Sequence, residues 1–502
     1  MQPDPASVAG KQPPISEATD LLIIGAGPAG MAAALAAAGR GVQVTLVDEN
    51  PIPLRTMGEE VPLHFGGRMA GTLANHNAVL DRILQANPQL ADAMEAGVDV
   101  RVGTAAWGLF PQHRSAAWLG GFVVGLADAD RAYLMRVGQV IVAAGRRDMG
   151  LAFDGWQLPG VRGATAAYRL ATLYNALESK EAVLVGSDTE ALQIGNALLD
   201  AGVRIVAVVE QAQAVVGPEH LLSRLASRGA KVLTGHVIKQ ARGDQHGVTS
   251  VEIGSETVAC DTVLLGVGAI PAIELLESSG CAVSFQPERG GHAPTVDSWQ
   301  RTSLPFVLAA GDCAGIWPSK SLSEAIARRE GRIAAAAALR VLGVDSAEEP
   351  AVQPDSPTAD IAGRRLDWVR TAVMESRAEP FVCQCEEVTA REILGLRPPR
   401  YLGWQGDIHP GAACSPDAVK RLTRAGMGPC QGRRCREQIA ALVALHSNTA
   451  LADVPLASYR APVRPLSLRQ LAQVPEAPAT GEHWDSWFGM PSQWVPFWRI
   501  AK

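Results

Sequence analysis

The sequence predicts an α/β fold: a Rossmann-like, discontinuous nucleotide-binding domain with a second domain of the same type inserted into it, then a small helical cysteine module. Three observations carry this. An apolar strand, a glycine turn and an alanine-rich helix run from Asp20 to Gly39 (DLLIIGAGPAGMAAALAAAG), and a second strand ending on an acid, VQVTLVDEN, completes a βαβ unit. The pattern restarts after Glu181, where AVLVGSDTEALQIGNALLDAG leads into VRIVAVVEQ at similar spacing. Near the C-terminus four cysteines fall in two tight pairs, Cys383 and Cys385 in FVCQCEEVT and Cys430 and Cys435 in RAGMGPCQGRRC.

In chain order, residues 1–19 are rich in proline and polar residues, lack the apolar stretch of a secretory signal, and read as a disordered leader. The first domain takes residues 20–150 and 290–343. In Gly25-Ala-Gly27-Pro28-Ala29-Gly30 the first glycine allows a tight turn, the second lets a pyrophosphate approach the backbone, and the third lets helix pack on strand. The helix N-terminus then faces the negative charge. Asp48, followed by Glu49, ends the next strand, where a carboxylate can accept hydrogen bonds from an adenosine ribose. A lone GxGxxG is often only a glycine turn; strand before, helix after and acid in place point to a nucleotide.

The strand GQVIVAAGRR runs into Gly145, a further residue expected at this site, and GWQLPG (Gly155–Gly160) reads as the crossover into the inserted domain, residues 151–289. That domain keeps Gly186 but has Asp188 where the second glycine belongs and Glu190 close behind, so two carboxylates would repel a pyrophosphate. It reads as a degenerate NAD(P)-binding-like domain, with NAD(P) not expected; Glu210 reads equally as a ribose contact or a solvated strand end. TSLPFVLAAGDCAG then returns the chain to the first sheet. Its Gly311 and Asp312 resemble the second flavin signature of two-dinucleotide-domain flavoproteins, in which an aspartate holds the ribityl chain, so the occupant is expected to be FAD. Alone, Asp312 would read as a helix N-cap.

Residues 344–360 are acidic and rich in proline, a linker composition, and a linker is expected over 344–378. The cysteine module takes residues 379–447. Cys-x-Cys followed by Cys-x4-Cys offers four thiolates, which suits a [2Fe-2S] cluster or a structural zinc. A diferric cluster with four thiolates carries a charge of about −2. Lys420, Arg421, Arg424, Arg433, Arg434 and Arg436 read as a positive collar for it, with Gly426, Gly428 and Gly432 freeing amides toward sulfur. Cys414 is read as spare or as a substitute ligand. Cys260, Cys281 and Cys313 stand alone and read as small buried hydrophobes. No CxxC or CxxxxC occurs before residue 383, which excludes dithiol relay chemistry beside a flavin. Residues 448–502 form a proline-rich tail ending in Trp484, Trp487, Phe488, Trp494, Phe497 and Trp498: an interface, a cover over its own domain, or a membrane-surface contact.

A chain of 502 residues exceeds one ordinary core. Its net charge of −6, with no basic stripe, excludes a general affinity for nucleic acid. No window reaches the roughly 18 uncharged apolar residues of a membrane span, so a cytoplasmic protein is expected, peripheral contact with the inner membrane aside. Its few cysteines then favour metal ligation over disulfides.

Together GAGPAG, VDENP, GWQLPGV, AAGDCAG, CQCEEVT and RAGMGPCQGRRC resemble the flavin-binding α subunit of bacterial opine oxidases and dehydrogenases (octopine and nopaline oxidase). Relatives of that family include dye-linked proline dehydrogenase, hydroxyproline dehydrogenase and hydrogen cyanide synthase subunits. The resemblance runs from Asp20 to about Arg464, and the cysteine segment resembles the bacterioferritin-associated ferredoxin-like [2Fe-2S] module. It implies a two-dinucleotide-binding-domain flavoprotein holding FAD and a [2Fe-2S] cluster on Cys383, Cys385, Cys430 and Cys435. It also implies an FAD-dependent β subunit of the amino-acid oxidase type that oxidises a C–N bond, a downstream electron acceptor, and room in the complex for ATP or FMN and for a small ferredoxin-like subunit. Two departures stand out: PIPLRTMGEEVPLHFGGRM replaces the family's GGQ turn, and the Cys385 to Cys430 spacing is longer than the module's.

Overall fold

The computed structural model describes residues 13–49, 87–111, 119–172, 177–346, 360–399 and 415–478, with positions 354, 402, 403 and 482. The loop 51–69, Cys414 and the aromatic residues from Trp484 onward lie outside the described residues.

The first sheet begins with β1 (Glu17–Ile24), α1 (Pro28–Ala37) and β2 (Val44–Asp48), a parallel βαβ unit. Residues 17–19 of the expected leader are therefore strand. After α2 (Pro88–Glu95), β3 (Asp99–Val102) extends the parallel edge, and β4 (Ala105–Phe110), β5 (Val123–Ala127) and β6 (Ala132–Val142) form an antiparallel meander whose last strand lies parallel to β1. Leu21 to Ile24, Leu46, Val47, Ile141 and Val142 are buried on both faces of the sheet. That double burial is why these strands read as continuous apolar runs.

β7 (Arg146–Asp148) leaves this sheet toward the inserted domain. There follow β8 (Val161–Gly163), α3 (Ala164–Thr172), β9 (Glu181–Val185), α4 (Thr189–Asp200), β10 (Arg204–Glu210), α5 (Glu219–Ser227) and β11 (Lys231–Thr234). A meander of β12 (Ile238–Asp244), β13 (Gly247–Ile253) and β14 (Glu256–Ala259) precedes β15 (Thr262–Leu265), and the parallel sheet runs β11-β10-β9-β15-β8. β16 (Ala269–Pro271) pairs back onto β7, and α6 (Glu274–Ser278) and the hairpin of β17 (Val283–Gln286) and β18 (Gly291–Pro294) lead to β19 (Val307–Ala309). β19 joins the first sheet beside β6, giving it seven strands among the described residues. α7 (Pro318–Leu322) and α8 (Glu324–Val341) complete the layer. α8 lies so close to α1 that a Cβ on Gly331 would sit 2.0 Å from the Ala29 carbonyl oxygen.

The register sets the site. Ile24 is level with Val47 and Val142, and Val142 with Ala309. Gly25, Asp48, Ala143 and Gly311 thus emerge near one edge, the carboxyl end where open α/β sheets bind ligands.

Beyond residue 360 come α9 (Ile361–Val369), β20 (Phe381–Cys383), β21 (Val388–Thr389), α10 (Ala390–Leu394), α11 (Pro416–Thr423) and α12 (Arg436–Ser447). The linker expected over 344–378 ends earlier, since α9 and the π-turn Arg370–Met374 after it are folded, because Trp368, Val369 and Val373 insert into a core. That core is shared. Trp156, Val183 and Val251 of the inserted domain and Val382, Ile439 and Leu442 of the cysteine module belong to one buried cluster. The expected tail is likewise folded at its start, where Leu451 and Val454 join the same cluster. Among the described residues no helix is long and apolar enough to cross a membrane.

Candidate functional site

A cavity of about 640 Å³ opens at the carboxyl edge of the first sheet. Gly25, Gly27, Pro28, Ala29, Asp48, Glu49, Gly145, Gly311 and Asp312 all line it, while Gly30 lies behind the wall. Gly25 takes φ +108, and a Cβ there would strike the Ala143 carbonyl oxygen at 2.3 Å; a Cβ on Gly30 would lie 1.8 Å from the Gly25 carbonyl oxygen. Gly27 differs, since a Cβ would meet no protein atom within 4 Å. Gly27 caps α1 with no side chain on the first-turn amides, leaving that helix end to a ligand. An open cradle, bare helix amides and a carboxylate at the strand end fit an adenine dinucleotide such as FAD. Asp48 Oδ2 accepts from Ala26 N at 2.6 Å, which ties the strand end to the glycine turn. Glu49 is forked by Arg464, whose Nη2 donates to Oε1 at 2.9 Å.

At the other end Arg146 reaches from β7 across both domains. Its guanidinium pairs with Glu190 at 2.6 Å, donates to Ser321 Oγ at 3.1 Å and lies 3.4 Å from Asp312 Oδ2. The Gly311–Gly315 loop is held from below by Lys320, whose buried Nζ donates to the Gly311 and Gly315 carbonyls at 2.8 Å and pairs with Glu330 at 2.7 Å. Glu330 in turn accepts from Gly311 N at 2.8 Å.

The corresponding mouth of the inserted domain is filled by its own side chains. Asp188 caps α4, accepting from Ala191 N at 2.9 Å, so those amides are occupied by a carboxylate of the chain. Burial pushes Glu190 up to about 7 against the pull of Arg146. Glu210 is neither a ribose contact nor a solvated strand end: it is fully buried, accepting from Ser187 Oγ at 2.6 Å and Ala212 N at 3.1 Å.

Cys383 ends β20, Cys385 follows it in a turn, and Cys430 and Cys435 flank the turn before α12. The thiols meet two by two, Cys383 with Cys435 and Cys385 with Cys430, and each pair feels the charge of the other. The hydrogen bond from the Cys385 thiol holds Cys430 below the usual thiol value. Gly426 N donates to Cys383 Sγ at 3.4 Å, and a Cβ on Gly428 would lie 2.3 Å from that of Cys385. Among the described residues no group of three or more His, Cys, Asp or Glu side chains is arranged to hold a metal ion.

Of the expected positive collar, Arg434 lies within the charge of Cys385, Cys430 and Cys435 and helps hold Cys430 below the usual thiol value, whereas the others are engaged elsewhere. Arg433 and Arg436 are buried, bonding the Val463 and Ala457 carbonyls, and Arg436 also pairs with Glu277. Arg434 stacks over Trp156 at 4.9 Å, Lys420 donates to the Ser458 carbonyl at 2.7 Å, and Arg424 pairs with Glu386 at 2.8 Å. Arg433, Arg434, Arg436 and Lys420 dock the module, Arg424 pairs within it, and Arg421 alone of the six is largely exposed. The main dock is Arg147, next in sequence to Arg146: Nε donates to the Arg433 carbonyl at 3.0 Å, Nη1 to Glu274 at 2.7 Å and Nη2 to Glu437 at 2.5 Å. Two successive residues of β7 thus face the nucleotide cavity and the cysteine turn.

The Pyridine nucleotide-disulphide oxidoreductase family matches residues 19–338, and the Sarcosine oxidase A3 domain matches residues 414–474. The opine oxidase A-subunit of Agrobacterium tumefaciens (strain Ach5) is 31% identical over 92% of this chain and 93% of its own length. The chain belongs to the family of opine oxidase A-subunits. Hydrogen cyanide synthase subunit HcnB of Pseudomonas aeruginosa is 26% identical over 82% of this chain and 90% of its own. The solved structure of L-proline dehydrogenase from P. horikoshii shares the fold, with a TM-score of 0.61 at 20% identity over 91% of this chain and 80% of that one. This is a family of FAD-dependent oxidoreductases, and the α/β dinucleotide-binding flavoprotein fold is that of the neighbours.

In this opine-oxidase-type chain, sequence reasoning missed Arg146, Arg147, Lys320, Glu330 and Arg464. Only Arg146 and Arg147 carried a local signal, since they follow the apolar run that leads into Gly145.

Proposed function

We propose that this chain is the electron-transferring flavin and iron-sulfur subunit of a multi-subunit amine or amino-acid (opine-type) dehydrogenase. A partner β subunit of the amino-acid oxidase type oxidises the C–N bond, and this chain passes the electrons to an external acceptor. FAD occupies the cavity, with Gly25, Gly27 and the first turn of α1 at the diphosphate, Asp48 at the ribose and Asp312 at the ribityl chain. A [2Fe-2S] cluster is held by Cys383, Cys385, Cys430 and Cys435. Bound there, the flavin would supply two-electron and the cluster one-electron chemistry. Thiols that meet two by two, Cys383 with Cys435 and Cys385 with Cys430, favour two irons with two thiolates each over a single four-coordinate zinc.

The observation that carries the reading is that one short strand, β7, faces both sites. The chain's own part is positional: Lys320 and Glu330 hold the Asp312 loop, Arg146 orients Asp312, and Arg147 holds the cysteine turn. The rival, a self-contained NAD(P)H-dependent flavin reductase, meets a second nucleotide site closed by Asp188, Glu190 and Glu210. Purified holoprotein should show flavin absorbance, iron and sulfide near two each per chain, and an electron paramagnetic resonance signal after dithionite. A colourless protein carrying zinc sinks the proposal, and rapid bleaching by NADH alone establishes the rival.

A further inference from the structure

The segment that leaves the cysteine module returns to the nucleotide cavity. Its Ala457 and Val463 carbonyls are held by Arg436 and Arg433 from the turn around Cys435, and its Ser458 carbonyl by Lys420 at 2.7 Å. Val463 N donates to the Trp107 carbonyl of β4 at 2.8 Å. Tyr459 and Val463 are buried in the core on one face of the first sheet. Arg464, at the end of this strap, enters the cavity wall and forks onto Glu49.

The electrostatics of the cavity give that fork a purpose. An adenine dinucleotide brings two negative phosphates into a site whose strand end already carries Asp48 and Glu49 side by side. Carboxylates in a partly desolvated wall repel such a ligand far more than in water. Of the other cations in the wall, Arg146 is engaged with Glu190 and Asp312, Lys320 with Glu330 and Arg328 with Gln89 and Glu324, while Arg169 lines the cavity from α3. Arg464 forks onto Glu49 in the wall, and it comes from outside the nucleotide domain.

We propose that Arg464 is a positioning residue of the nucleotide site: it neutralises Glu49 so that a dinucleotide diphosphate is admitted, and it makes nucleotide affinity depend on the strap being docked. The proposal rests on the adenine-dinucleotide reading of the cavity. Neutralisation, unlike mere bracing of the fold, predicts that removing Glu49 repairs the loss of Arg464.

The test titrates apoprotein with FAD, followed by flavin fluorescence, and with ADP, followed by calorimetry. Arg464→Ala should weaken FAD at least about tenfold, a loss of about 1.4 kcal/mol. Arg464→Lys, which keeps the charge, should stay within about threefold of wild type, and Glu49→Gln/Arg464→Ala should return to that range. Binding by Arg464→Ala within twofold of wild type, or a double variant no better than Arg464→Ala, overturns the proposal. Should Arg464→Ala fail to fold, Glu49→Gln is compared with Glu49→Gln/Arg464→Gln: equal affinities support neutralisation, and a tenfold gap overturns it. Wild type that binds ADP but not FAD refutes the flavin reading and leaves Arg464 to be decided by the ADP series. Wild type that binds neither refutes both.

Discussion

Gly27 and Gly30 belong to one turn, yet a side chain is excluded at each for a different reason. At Gly27 a Cβ meets no protein atom within 4 Å, so Gly27→Val should leave the unfolding temperature of the apoprotein unchanged while FAD affinity falls at least about tenfold. At Gly30 a Cβ would lie 1.8 Å from the Gly25 carbonyl oxygen. Backbone must move, so Gly30→Ala should lower stability by about 3 kcal/mol, read as a reduced urea midpoint. A pattern of glycines could announce the turn but not assign these separate duties, which follow from what lies opposite each Cα.

His292 supplies the pH dependence at this scale. Burial, reinforced by Arg365 and Arg436, pulls it from 6.5 down to about 3. Below pH 6.5 the unfolded chain then binds a proton that the folded chain refuses, so stability is present above that pH and is lost as pH falls toward 3. Between pH 7.5 and 4.5 the wild type should lose about 3 kcal/mol more than His292→Gln, measured by urea unfolding at both pH values.

At the scale of elements, α1 and α4 repeat one strand-turn-helix design with opposite helix ends. Gly27 leaves the α1 amides to a ligand, and Asp188 fills those of α4. Asp188→Ala should therefore cost about 1 kcal/mol of stability without making NADH bleach the flavin, since Glu190 and Glu210 stay in place. The Asp312 loop depends on another device. Lys320→Met would strand a buried Glu330 and should cost about 3 to 5 kcal/mol, whereas Lys320→Met/Glu330→Leu should recover more than half of it. Both should purify with less flavin, because the Gly311 amide or carbonyl loses its partner in each; full flavin content in both would show that the pair does not position the loop. The strands were legible because parallel strands covered on both faces read as apolar runs. α9 was not, because an acidic, proline-rich approach hides the short apolar pattern of Trp368, Val369 and Val373 behind it.

For the whole molecule, the decisive feature is one core running from the inserted domain through the cysteine module. The two should unfold in a single calorimetric transition, with Arg147→Ala lowering it by the equivalent of about 3 kcal/mol for breaking a buried ion network. A separate low-temperature transition for residues 379–447 would show that the module is an autonomous domain. In that shared core the arginines after Cys430 turn inward, so the cysteine site is set beside the flavin fold as well as tethered to it.

By itself the sequence determined the α/β order, the duplicated strand-turn-helix unit and the cysteine pairs, because glycine turns, periodicity and cysteine spacing are properties of short stretches of chain. Which charges are buried, and against what, only the tertiary structure decided. Arg147 and Arg433 stand 286 positions apart, and Arg464 and Glu49 stand 415 apart. No local pattern encodes such partners, since an arginine on a solvated face and one locked in a buried pair look alike until the chain has folded.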